Sequence, residues 1–188
     1  VRMAMGMGAD VTVLDINIDR LRWFDNTFQG RVKTLYSSTH NLEQALGYAD
    51  LVVGAVLVAG ARAPHLVKRE HLSLMQPGAA LVGVAVDQGG CVETSKPTTH
   101  ANPTYIVDDI IHYCVANMPG GVPRTSTLAL NKATLPFLKR LAKDGYQKAL
   151  SNDPNFLAGL NICKGNVTYK AVADAFGHKF TSSMEAII

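Results

Sequence analysis

Several things are scarce in this 188-residue chain, and each scarcity closes a class of function. Three cysteines, Cys91, Cys114 and Cys163, are odd in number and far apart, which supplies neither a disulfide framework nor a metal-ligand pattern. The six histidines show no ligand spacing either, and no metal site is expected. Lys and Arg exceed Asp and Glu only 18 to 15, with no basic run and no arginine-aromatic alternation, so the footprint of a nucleic-acid binder is missing. The longest apolar stretches, LVVGAVLVAGA (51–61) and AALVGVAV (79–86), are broken by glycine and fall short of the roughly 20 residues of a membrane helix. No signal peptide is expected at the start, and reduced thiols in a cytoplasmic protein are the simplest account of the cysteines. Internal repeats and low-complexity segments are absent.

What is present suits a buried core: 47% of residues are hydrophobic and 18% charged. Short β-branched runs alternate with helical patterns, the arrangement of a parallel sheet with helices on its faces. Strands are expected over 11–15, 32–36, 51–56, 80–86 and 110–116, continuously apolar as strands covered on both faces should be. Ile18, Leu21, Phe24 and Phe28 repeat at three and four, giving one helical face. Asn41 is expected to cap a helix through Tyr48, and Pro64 to open another that ends before Pro77-Gly78. After Pro123 the strands stop; one amphipathic helix is expected over 134–150 and short helices over 152–159, 169–177 and 183–188.

Three segments carry candidate chemistry. VRMAMGMGADVTVLD (1–15) reads as a helix end, a turn and a strand closing on Asp15. In a Rossmann-type unit an acid at that place hydrogen-bonds the adenosine ribose, and its charge favours NAD over NADP. Arg20, one turn on, is the kind of residue that accommodates a 2′-phosphate and works against that preference. The phosphate-cradling glycine loop that should precede the strand would lie upstream of Val1. In VAVDQGGCVETSKPTTH (84–100) a buried strand ends in Asp87, at the sheet edge where ligands bind in such folds. Gly89 and Gly90 there permit positive φ, and Thr94, Ser95, Thr98 and Thr99 offer hydroxyls; a polar loop with a capping Asp has the same composition. In HYCVANMPGGVPRTST (112–127) a strand runs into Asn117, whose amide suits a carbonyl or carboxylate, and Met118, shaped to pack on a nicotinamide; a hinge rich in breakers reads the same way. Ser37 and Ser38 end one strand and Val56 and Leu57 another, at places suited to an adenine pocket and its apolar floor. His112 and Tyr113 lie within a strand and read as core residues.

Taken together, GADVTVLDINIDRL, ADLVVGAVLVAGARAPHLV, DQGGCVETSKPTTH, HYCVANMPGGVPRTST and ATLPFLKRLA resemble the alanine dehydrogenase family, within the wider alanine dehydrogenase and transhydrogenase group. The resemblance implies an α/β fold: a Rossmann-type doubly wound parallel sheet, truncated here at its first strand, over residues 1–123, then over 124–188 the returning helical part of a substrate domain. It implies reversible oxidative deamination of L-alanine to pyruvate and ammonia with hydride passed to NAD, in a cytoplasmic homo-oligomer, commonly a hexamer. By the same resemblance Asp87 is the catalytic carboxylate beside the nicotinamide, Asn117 contacts substrate, and Asp15 and Met118 contact the cofactor. Arg20, Ser37, Val56, Leu57, Leu66 and Val84 line its pockets. The family's catalytic histidine, carboxylate-binding Arg and Lys, and pyrophosphate glycines have no counterpart in these residues, so the chain is expected to be a C-terminal fragment, inactive alone. A transhydrogenase nucleotide-binding subunit and a non-catalytic oligomerisation module are the competing expectations.

Overall fold

The computed structural model describes residues 1–58, 61 and 63–188, so the quoted block 49–67 contains three positions, 59, 60 and 62, that lie outside the described residues. A single helical turn, α1 (Arg2–Gly6), leads into β1 (Thr12–Asp15), helix α2 (Ile18–Phe28) and β2 (Lys33–Tyr36). The two strands are parallel, with Asp15 beside Tyr36 in register. Helix α2 starts where Asn17 Oδ1 accepts the Arg20 N–H at 3.0 Å, and stops at Gln29 in the left-handed conformation. Leu21 and Phe28 are its buried residues, and Val32, between the helix and β2, is buried as well.

Helix α3 (Thr39–Leu46) is capped by Ser38, whose Oγ accepts the Asn41 N–H at 3.2 Å. Asn41 therefore lies inside the first turn rather than at its cap, because its side chain turns back to donate to the Tyr36 carbonyl at 2.8 Å. A four-stranded sheet follows in the order β3-β4-β6-β5: β3 (Leu51–Gly54), β4 (Ala80–Gly83) and β6 (Ile110–Tyr113) are parallel, and β5 (Thr104–Val107) joins β6 antiparallel. The antiparallel edge strand was not expected from the apolar runs. The helix expected from Pro64 is instead extended chain with a bridge at Val67 and a 3₁₀ helix, Arg69–Leu74. The Leu66 and Val67 N–H groups both donate to the Cys91 carbonyl, which holds this stretch against the loop after β4 and out of helical geometry.

One face of the four-stranded sheet holds the core. Leu46, Leu72, Leu81 and Ile110 are each at most 1% exposed and pack with Val67, Met75, Cys91 and Val92, and each such aliphatic contributes about 1.5–3 kcal/mol. The other face is open, contrary to strands covered on both sides: Leu51 and Val53 are each 55% exposed and Ile106 69%. The two-stranded and four-stranded sheets do not pair with each other among the described residues. A doubly wound sheet of the 3-2-1-4-5-6 order puts one strand between these two edges.

Beyond a 3₁₀ turn, Met118–Gly121, helix α4 (Pro123–Ser151) begins at a proline, eleven residues ahead of the amphipathic stretch expected from 134. Its exposed leucines Leu128, Leu130 and Leu138 lie off any single stripe, which is why periodicity missed the first part. Gly145, at φ 74° and ψ 157°, divides it into a long and a short helix. Helix α5 (Pro154–Leu157), a hairpin of β7 (Ile162–Cys163) and β8 (Asn166–Val167), and helices α6 (Lys170–Phe176) and α7 (Ser183–Ile187) complete the chain. Leu150, Cys163, Ala186 and Ile187 form their small core. Asp153 caps α5 through the Asn155 and Phe156 N–H groups and takes Arg140 Nη1 at 2.8 Å, and that guanidinium holds its carboxyl below the usual range. No helix among the described residues is long and apolar enough to cross a membrane.

Candidate active site at the carboxyl edge of the sheets

Within each sheet the parallel strands bring their carboxyl ends to one edge, and most of the candidate residues follow those ends. At the end of β1, Asp15 Oδ1 accepts the Asn17 N–H at 2.9 Å, which fixes the carboxylate over the start of α2. Its second oxygen has no partner among the described residues. The Ser37 N–H donates to the Asp15 carbonyl at 2.9 Å, so those two candidates are neighbours. Arg20 stacks its guanidinium on its own helix, 4.3 Å from the Trp23 ring and 5.0 Å from that of Phe24.

In the second sheet, the Val84 N–H donates to the Gly54 carbonyl, which sets Val84 beside the chain leading to Val56 and Leu57. All three side chains are open to solvent, an apolar edge without a cover. Leu66 is different: its side chain packs against the core cluster. Asp87 stands in a 3₁₀ turn, Val86–Gln88, whose first residue is buried and anchors it. The Asp87 side chain is exposed, and its carboxylate makes no hydrogen bond or ion pair among the described residues. Gly89 and Gly90 adopt φ 93° and 64°, the region the sequence pattern anticipated, and let the loop double back so that Gly90 rests on Ser95.

That close return depends on a second glycine pair. Gly54 and Gly83 face each other in register. A Cβ on Gly54 would sit 2.9 Å from Cys91 Sγ, and one on Gly83 would sit 3.1 Å from Cys114 Sγ.

Several hydroxyls expected to face a ligand are engaged inside the protein. Thr94 Oγ1 bonds His112 Nε2 at 2.8 Å, and Thr98 Oγ1 donates to the Pro103 carbonyl at 2.9 Å. His112 is fully buried, its other ring nitrogen on the Ile110 carbonyl at 2.9 Å, in keeping with the core role read from its strand. Tyr105 stacks on it at 5.0 Å, donates its hydroxyl to the Thr94 carbonyl and accepts the Lys96 N–H. Burial, then the contact with Cys114, pushes the Tyr105 hydroxyl from 10.0 up to about 12. Because the folded value is the higher one, this stabilisation is complete below pH 10 and lost as pH rises through about 12. Alkaline unfolding followed by circular dichroism from pH 9 to 12 should therefore be steeper in the parent than in Tyr105→Phe, which has no proton to lose.

Asn117 ends the chain running on from β6, and its carbonyl accepts both the Gly120 N–H at 2.9 Å and His100 Nε2 at 2.7 Å. Its side-chain amide lies against Gly120, where a Cβ would come within 2.9 Å of Nδ2. Met118 follows, half-buried, on the same turn. His100 is the residue the sequence reading passed over. The available signal was turn-forming Asn102-Pro103 just after it, which folds the histidine back toward the strand end.

A family model described as the alanine dehydrogenase/PNT C-terminal domain matches residues 1–170. An alanine dehydrogenase of Halomonas elongata is 59% identical over 99% of this chain and 50% of its own length. One from Mycolicibacterium smegmatis is 52% identical over 98% and 50%. A solved L-alanine dehydrogenase superposes with a TM-score of 0.81 at 48% identity, covering 94% of this chain and 48% of that one. A transhydrogenase from Sinorhizobium meliloti, at 24% identity and a TM-score of 0.61 over 72% of this chain and 38% of its own, shares the fold. The chain spans about half the length of the curated relatives it matches. An exposed carboxylate and an amide-bearing turn at the carboxyl edge of a parallel sheet, in a chain matched by that model over most of its length, place this protein in the alanine dehydrogenase/PNT C-terminal domain family.

Proposed function

We propose that this chain is the nicotinamide-binding part of an NAD-dependent L-alanine dehydrogenase, with residues 1–123 as the cofactor domain and 124–188 as a returning part of a substrate domain. The observation that carries the reading is Asp87: an exposed carboxylate without a partner among the described residues, in the turn that follows β4. The residues fit NAD. The unpartnered Asp15 oxygen accepts from ribose hydroxyls, Ser37 stands beside it, and Val56, Leu57, Val84 and Met118 give apolar surface to flat rings, with Leu66 supporting them from the core. Arg20, held on Trp23 and Phe24, is committed to its own helix, which favours NAD over its 2′-phosphorylated form. Bound NAD supplies the hydride acceptor. Alanine oxidation also needs a deprotonated amine and, later, an activated water; the Asp87 carboxylate takes those protons at its Oδ atoms while the Asn117 amide donates to the substrate carboxylate or carbonyl. Alanine, pyruvate and ammonia are the small-molecule partners in this reading. The exposed leucines of α4 serve a homo-oligomeric contact, a hexamer by family resemblance, in the cytoplasm.

The test is a chimera in which this chain replaces the matching half of the Halomonas elongata relative. Alanine-dependent NADH formation is expected from the chimera. The chain alone is expected to bind NAD weakly and to show no alanine turnover; robust turnover by the chain alone would contradict the split of the active site. Hydride exchange between nicotinamides without alanine turnover would favour the transhydrogenase reading instead.

A further inference from the structure

A histidine outside every role above is bonded to the candidate substrate-binding turn. His100 sits at the tip of the turn 99–102, closed by the Asn102 N–H on the Thr99 carbonyl at 3.1 Å and its Oγ1 at 3.4 Å. That turn is itself pinned to the strand end. The Thr98 N–H donates to the Cys114 carbonyl, the Ala116 N–H donates to the Thr98 carbonyl, and Thr98 Oγ1 closes onto Pro103. The chain that carries His100 and the chain that runs into Asn117 are thus one rigid unit over Thr98 and Val115.

From this base the imidazole reaches across to the next turn. Nε2 donates to the Asn117 carbonyl at 2.7 Å, so that nitrogen carries a proton in either charge state of the ring. The ring also lies on Gly120 and Gly121, where added Cβ atoms would stand 3.3 Å from Nε2 and 3.4 Å from Cε1. Two donors, His100 and the Gly120 N–H, converge on one carbonyl and hold its peptide plane. The same turn holds the Asn117 amide against Gly120. A side chain on an exposed turn has many conformations, and removing them before substrate arrives is worth a large factor in rate or binding.

We propose that His100 is a positioning residue: it donates to the Asn117 carbonyl and thereby presets the Asn117 amide for the carboxylate or carbonyl of the substrate. This deepens the alanine dehydrogenase reading and rests on it for its kinetic consequence. Its structural half concerns this chain alone.

The kinetic test uses the chimera described above with His100→Ala and His100→Gln. The alanine variant should raise KM for L-alanine about tenfold while KM for NAD stays within twofold. Glutamine, whose amide offers a donor at similar reach, should recover most of the loss. A merely structural role would lower thermal stability and leave the alanine KM in place. An alanine KM within twofold of the parent in His100→Ala overturns the proposal, and so does failure of glutamine to do better than alanine. If His100→Ala does not fold, His100→Asn, too short to reach the carbonyl, takes its place under the same criteria. If the parent chimera itself does not turn over alanine, the functional reading fails separately. The positioning claim is then decided on this chain by ¹H–¹⁵N spectra: displaced Asn117 side-chain and Gly120 amide resonances in His100→Ala support it, and unmoved resonances overturn it.

Discussion

Asp87→Asn in the chimera is expected to lower kcat for alanine oxidation by about a hundred- to ten-thousand-fold, the range associated with a positioned proton-transfer group. The substitution is close to isosteric, and the side chain it alters is exposed and without partners among the described residues, so the folded state has little to lose. An amide cannot accept the proton of an ammonium group or of an attacking water at neutral pH. The loss should therefore fall on turnover, with the melting temperature and NADH binding near those of the parent. Titration of NADH by fluorescence alongside stopped-time assays separates the two effects. A kcat within threefold of the parent would take Asp87 out of the mechanism and leave the loop as structure only.

Gly54→Ala is expected to destabilise the chain by about 1–3 kcal/mol, the usual range for a group forced into a packed site. The added methyl would stand 2.9 Å from Cys91 Sγ and 3.3 Å from Val92 Cγ2, both on residues at most 4% exposed. Neither can swing away without opening the core beneath the Asp87 loop. Gly83→Ala, at 3.1 Å from Cys114 Sγ, should be milder, and Gly6→Ala, in a helical turn with nothing within 4 Å, serves as the clash-free control, unchanged or slightly stabilised. Urea unfolding measures all three. The diagnostic is a double-mutant cycle: Cys91→Ala makes room for the methyl, so Gly54→Ala should cost less in that background than alone. Simple additivity would show that the clash is not with the sulfur.

The places of Asp15, Asp87 and Asn117, at or a few residues past the carboxyl ends of β1, β4 and β6, were legible because each follows an apolar run. The helices at Ile18–Phe28 and Lys170–Phe176 were legible for a similar reason: periodicity and a following turn residue agree. Errors gathered where side chains override local pattern. Asn41 has the chemistry of a cap, yet its amide is taken by the Tyr36 carbonyl and Ser38 does the capping. Pro64 looks like a helix start, but the Cys91 carbonyl captures the Leu66 and Val67 N–H groups. β5 escaped notice because Thr104–Val107 is a short run after a proline, stabilised through Tyr105 by partners at Thr94 and Lys96. His100 was hard to read because its bond is to a carbonyl seventeen residues away, with the Asn102-Pro103 turn as its local sign.

Among the described residues, β1 and β3 each leave one edge open. Thr12–Asp15 and Leu51–Gly54 each present a row of main-chain donors and acceptors that nothing in the described chain satisfies, and neither run carries a proline or a lysine to discourage pairing. An edge of that sort is a template: any extended segment of suitable length completes it, with main-chain bonds that do not read sequence. Concentration-dependent light scattering is therefore expected to report self-association through these edges, and scattering that stays monomeric over about a hundredfold range of concentration would show that they are blunted in solution.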